Sequence, residues 1–136
     1  PRHPDELREH DCLLMLGPKG PRDQWTLTAT DGTVTHVRVR GRLESNMGEA
    51  IRDAALAGLG ISLHSVWHVC DDLRAGRLEL VLPEYQLPDG AIHAVMPPRR
   101  LMLPRVRAFI DFLAEQFNPV PPWERASLAA STRSRR

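Results

Sequence analysis

The stretch GRLESNMGEAIRDAALAGLGISL, residues 41–63, decides the fold class. Asn46 followed by Glu49 three residues later fits a capping box opening a helix. Met47, Ile51, Ala54 and Ala55 then recur at helical spacing and share one face. Gly58 and Gly60 stop that helix, and Ile61 to Leu63 resumes as a strand. A strand–helix–strand unit needs a crossover, so a partly parallel sheet of the α/β class is expected.

The flanking segments extend this pattern. Upstream, PRHPDELREH (1–10) reads as a short polar helix, with Pro4 in its first turn and Asp5, Glu6 and Glu9 suited to a helix N-terminus. CLLML (12–16) is a short apolar run of buried-strand type, broken by GPKGP (17–21). Residues 25–40 read as a hairpin. Trp25, Leu27 and Ala29 alternate with threonines, Asp31-Gly32 is a two-residue turn signal in which both positions take positive φ, and Val37 and Val39 continue the return strand. Downstream, a second helix is expected over 66–75, stopped by Gly76, and Leu78, Leu80 and Leu82 alternate as a strand ended by Pro83. A loop at 84–90 leads to the strand AIHAVM (91–96), closed by Pro97-Pro98. A final helix over 104–117 starts at Pro104 and carries Val106, Phe109, Ile110, Leu113 and Phe117 as an apolar stripe. From Asn118 the composition turns to Pro, Ala, Ser, Thr and Arg, as in a mobile tail. There are no internal repeats.

Composition narrows the function classes. The 136 residues suit one compact domain, and 42% hydrophobic content is enough for a core. Of the 18 basic and 17 acidic residues, four arginines and one glutamate lie beyond residue 117, so residues 1–117 carry a net charge of −2. A body of that charge is a poor non-specific binder of nucleic acid, which requires clustered Lys and Arg. Cys12 and Cys70 are too few and too far apart for a disulfide scaffold and read as reduced thiols of a cytoplasmic protein. No apolar run approaches the roughly 18–20 residues that span a bilayer, so no membrane partner is expected. The chain begins at Pro1 with no signal peptide, as a piece of a longer protein would.

Four segments, in order, resemble the regulatory domain of LysR-type transcriptional regulators: HPDELREHDCL (3–13), residues 41–63, WHVCDDLRAGRLELVLPEY (67–85) and PRRLMLPRVRAFIDFLAEQF (98–117). The resemblance covers about residues 2–117. It implies a truncated periplasmic-binding-protein-like (type II) regulatory domain, a mixed sheet with flanking helices. Residues 1–90 would be regulatory subdomain II, 91–117 the returning strand and helix of subdomain I, and 118–136 the tail. It further implies a small-molecule effector in a cleft between subdomains, a homodimer, and DNA contact only through an N-terminal helix-turn-helix outside this chain. An oligomerisation fragment that binds no ligand is the alternative. Its discriminating property is size in solution.

The candidate effector residues are Ser45, Asn46, Met47 and His64. The first three lie between a strand and a helix N-terminus, where free N–H groups and the helix dipole favour a carboxylate or other anion. The resemblance puts the same turn on the effector cleft. Simple N-capping by Asn46 is the plainer account. His64-Ser65 follows a strand end, where ligands gather in open α/β sheets, although a solvated loop histidine would read the same way. His93, on the returning strand, is a further candidate. His64 and His68 with Cys70, Asp71 and Asp72 invite a metal reading, but no paired ligand motif is present, so no metal or other cofactor is expected. No nucleophile elbow or phosphate loop is found, and no enzyme is expected. Arg99, Arg100, Arg105 and Arg107 form a basic patch that reads as a solvated face.

Overall fold

The computed structural model describes residues 1–88, 93, 95, 103–117 and 121. The chain divides into two units, Pro1–Pro88 and Asp89–Arg136. In the first unit, β1 (Asp11–Gly17) is the organising strand. It pairs in parallel with β5 (Arg40–Ser45) and β6 (Ile61–Ser62), and antiparallel with the two-residue β2 (Gly20–Pro21). The helix α1 (Gly48–Leu56) connects β5 to β6 and so makes the expected crossover. A second, antiparallel sheet has the order β4 (Val34–Arg38), β3 (Gln24–Ala29), β7 (Tyr85–Gln86). The helix α2 (Val66–Arg74) follows β6. The architecture is a mixed α/β one with sheets and flanking helices, as expected.

The three consecutive buried residues of β1 explain its position. A strand sends alternate side chains to opposite faces, so a strand covered on both faces reads as a continuous apolar run. Cys12 and Leu14 join Leu7, Trp25, Leu27, Val37, Val39 and Leu82 in one core. Leu13 points the other way, into a second core with Ile51 and Ala54 of α1. Burial, helped by Asp11, pushes the Cys12 thiol up to about 11. It is therefore a packing residue, with the reactive thiolate suppressed.

Several local expectations are corrected. The N-terminal segment is a 3-10 helix, Pro4–Glu9, capped by His3, whose Nδ1 accepts from the Asp5 N–H at 3.3 Å. GPKGP does not break β1 but turns it into β2. The hairpin loop is longer than the two residues Asp31-Gly32. Gly32 N–H donates to Ala29 O at 2.9 Å and Ala29 N–H to Thr33 O at 2.8 Å, and only Gly32 of the pair has positive φ. This is the three-residue loop in which a single glycine supplies the left-handed residue. The expected strand over Leu78–Leu82 is absent. Leu82 takes φ 55° and its carbonyl accepts from Tyr85 N–H, so the chain turns there, and the pairing partner of β3 is β7 instead.

Both helices of the first unit end on the same paired bonds. Leu59 N–H reaches Ala54 O and Gly58 N–H reaches Ala55 O after α1; Arg77 N–H reaches Asp72 O and Gly76 N–H reaches Leu73 O after α2. This double bond set satisfies otherwise orphaned carbonyls.

In the second unit, α3 (Pro104–Phe117) forms where the stripe predicted it. Arg105 and Arg107 of the basic patch lie on it, whereas Arg99 and Arg100 lie outside the described residues. The expected strand 91–96 also lies outside them apart from His93 and Val95, as does the tail apart from Pro121. No described helix is long and apolar enough to cross a membrane.

Candidate effector site at the start of the first helix

The parallel strand β5 delivers the chain to the N-terminal end of α1, and the link between them runs from Ser45, the last residue of β5, through Asn46 and Met47. Ser45 is half-buried, and its Oγ accepts the Met47 N–H at 3.1 Å. The helix begins at Gly48, so Met47 is the N-cap, and it has no oxygen with which to cap. The expected Asn46–Glu49 capping box is thereby overturned, because the third helical position is Ala50 rather than Glu49. Asn46 is exposed. Met47 is 59% exposed rather than packed on the face of Ile51 and Ala54. The first-turn N–H groups of α1 have no intrahelical acceptor, and no side chain of the cap residue covers them.

A second wall comes from the strand-to-helix turn after β6. His64 and His68 face each other with Nδ1 atoms 3.3 Å apart and rings at 68°. Trp67, itself 57% exposed, lies against His68 at 5.5 Å between ring centres. A Cβ built at Gly48 would stand 3.3 Å from His68 Cε1. The structure therefore brings the 45–48 turn beside His68, and through it His64. Two residues that the sequence does not mark as effector contacts are thus part of the constellation: Gly48, whose lack of a side chain admits the imidazole, and His68, which the sequence presents only as a possible metal ligand. The signal available was the four-residue interval of His64 and His68, but not which wall they face.

His64 is not the solvated loop histidine that the plainer reading allowed. Burial, then His68 and Arg52, push its imidazole below the ordinary 6.5. Its Nε2 is buried and has no hydrogen-bond partner among the described residues. His93 is exposed and belongs to the other unit. Among the described residues no group of three or more His, Cys, Asp or Glu could hold a metal ion.

The His64 shift has a consequence for stability. Below 6.5 the unfolded chain takes up a proton that the folded chain refuses, so stability falls as pH drops from 6.5 toward the lower folded value. Urea midpoints for His64→Gln should therefore decline less than those of the parent between about pH 8 and about pH 5. Identical slopes would show that His64 takes up protons equally in both states.

The LysR substrate binding domain family matches residues 1–118. The chain is 38% identical over 121 residues to the HTH-type transcriptional regulator PtxR of Pseudomonas aeruginosa, and 34% identical over 117 residues to the HTH-type transcriptional regulator DmlR of Escherichia coli. These matches cover 87% and 86% of this chain but 39% and 38% of those proteins, so the chain spans about two fifths of their length. Among solved structures it is similar to the regulatory domain of AphB in Vibrio vulnificus, at TM-score 0.65 and 24% identity over 85% of this chain and 56% of that one. It is also similar to the full-length Vibrio cholerae virulence activator AphB, a member of the LTTR protein family, at TM-score 0.61 and 28% identity over 83% of this chain and 38% of that one.

Proposed function

Because the chain belongs to the LysR substrate-binding family, we propose that it is the effector-sensing part of a transcriptional regulator and takes a small, carboxylate-bearing molecule at the 45–48 turn. The observation that carries this reading is the uncapped start of α1. Met47 supplies no capping oxygen, and the first-turn N–H groups and the positive end of the helix dipole favour an anion there. Ser45, Asn46 and Met47 form the contact turn. His64 acts at its edge, through the His68 ring that rests on Gly48. The opposite wall belongs to the first subdomain of the family's two-subdomain plan.

In this reading the chain does no chemistry. The effector favours one orientation of the two subdomains over another by binding it more tightly. That difference in affinity is the whole source of the coupling to the dimer interface and to an N-terminal helix-turn-helix on DNA. The whole protein works as a homodimer in the cytoplasm, where its effector and its operator meet.

The test is amide NMR of the chain titrated with benzoate and succinate, with benzamide and succinamide as uncharged controls. Saturable shifts are expected at residues 46–50 for the carboxylates alone. Asn46→Asp, which places a negative charge at the helix start, should weaken them by roughly five-fold or more. Shifts that ignore this substitution, or that occur equally with the amides, would end the carboxylate reading.

A further inference from the structure

Arg38 and Arg40 flank Val39, where β4 gives way to β5. Exposure alternates from His36 to Arg40, with Val37 and Val39 buried between exposed neighbours. Val39 is part of the core, and its N–H donates to the Asp23 carbonyl at 2.8 Å. Extended chain sends alternate side chains to opposite faces, so burying the valine turns both arginines to solvent. Together with Arg8 of the 3-10 helix, Asp23 and Val39, they line an open concavity of about 650 Å³. That volume lies within the roughly 300–1,000 Å³ of small-molecule sites.

We infer that this concavity is a second ligand site, for a small phosphate monoester in its dianionic form. Three guanidiniums face one carboxylate there, a local excess of positive charge in a body whose overall charge is negative. Most of their donors are open. Asp23 takes the Nε of Arg38 at 2.8 Å, which leaves both terminal nitrogens of Arg38 to donate elsewhere. Arg8 meets Asp5 through one nitrogen at 3.2 Å, and both side chains are more than half exposed. Such a pair is worth little and gives way to a stronger acceptor. Arg40 has no ion pair among the described residues, whereas Arg42, next on the same face, is answered by Asp11 at 2.8 Å and is not a wall of the concavity. One guanidinium fork occupies both oxygens of a carboxylate. A phosphate monoester offers three terminal oxygens and about two negative charges at pH 7, so it answers several forks at once.

The backbone holds two of these arginines in place. Arg38 faces Gln24 in the antiparallel sheet and Arg40 faces Asp11 in the parallel one, so an anion held by both bridges the two sheets. Side chains carried on strands are positioned more closely than those on loops. The site is separate from the 45–48 turn. Arg40 begins β5 and Ser45 ends it, and at about 3.3 Å per residue the two lie roughly 17 Å apart. The proposal therefore does not depend on the effector reading of that turn.

The probe is glucose 6-phosphate, with glucose and succinate as controls, followed by NMR of the backbone amides and the arginine Nε–H groups of the chain. Saturable shifts are expected at the side chains of Arg8, Arg38 and Arg40 and at the amides of residues 38–40. Arg40→Gln should weaken glucose 6-phosphate by about ten-fold or more, and Arg40→Lys, which keeps the charge but loses the fork, by less. Arg42→Gln should leave binding within about two-fold of the parent, because its charge is already answered by Asp11. The shifts are read on the parent chain, so the outcome does not hinge on any variant folding. Absence of saturable binding, shifts confined to residues 46–50, equal shifts at 38–40 with glucose or succinate, or undiminished binding by a folded Arg40→Gln chain would each overturn the proposal.

Discussion

Gly41→Ala is expected to abolish cooperative folding of the first unit, or to cost at least about 4 kcal/mol of stability. A Cβ at this position would stand 1.6 Å from the Cys12 carbonyl oxygen and 2.6 Å from its carbon. The obstacle is backbone, so no rotamer change relieves it. The close approach arises from the pairing of β1 with β5. Asp11 faces Arg40 and Leu13 faces Leu43, so β5 spends one more residue than β1 over the same span, and Gly41 lies in that irregularity. Relief would need β5 to move away from β1, and β1 supplies residues to both cores. Gly32→Ala is the informative control. It has φ +86° but nothing within 4 Å, so its cost should be only about 1 kcal/mol. Chemical denaturation of the two variants side by side measures the difference. Equal small losses would mean that the strand pairing is not as close as described.

Asp72→Asn should bring the next largest loss. Asp72 is 1% exposed and its carboxylate is shared by two guanidinium groups: Arg52 Nε of α1 at 2.6 Å on one oxygen, and Arg77 at 2.9 and 2.7 Å on the other. Its backbone carbonyl also accepts from Arg77 and Leu78 N–H. One residue thus ties α1, α2 and the segment leaving α2. Asparagine keeps the shape but removes the charge that two arginines answer, and removing one partner of such a set is worse than never having built it. The melting temperature is expected to fall by at least about 10 °C at neutral pH. The same bonds hold the Asp72 carboxyl below its ordinary 3.8. Its contribution is therefore present above that pH and is lost as pH falls through the lower folded value. The gap between parent and variant should narrow in melting curves taken below about pH 4. A gap that is constant with pH would assign the loss to packing alone.

Much of this could be read from the residues because local rules and tertiary demands agreed. The apolar run 12–16 reads as a buried strand, and the helical spacing from Met47 to Ala55 lies between two strand-like runs. The crossover and the parallel sheet follow from that order. The four-segment resemblance pointed to the family, and α3 was legible because Pro104 and a five-residue stripe mark both its start and its face. What the sequence concealed was decided by three-dimensional competition. Asn46 is a better cap than Met47 by local preference, yet the end of β5 sets where α1 can begin, and the cap falls one residue later. Leu78, Leu80 and Leu82 alternate as a strand does, but β3 has one free edge and Tyr85-Gln86 takes it. His64 and His68 could be paired by interval, but only the fold could set His68 against Gly48 and bury the ring nitrogen of His64. Local preferences of this kind are worth about 1 kcal/mol each, and the packing of a shared core outweighs them wherever the two disagree.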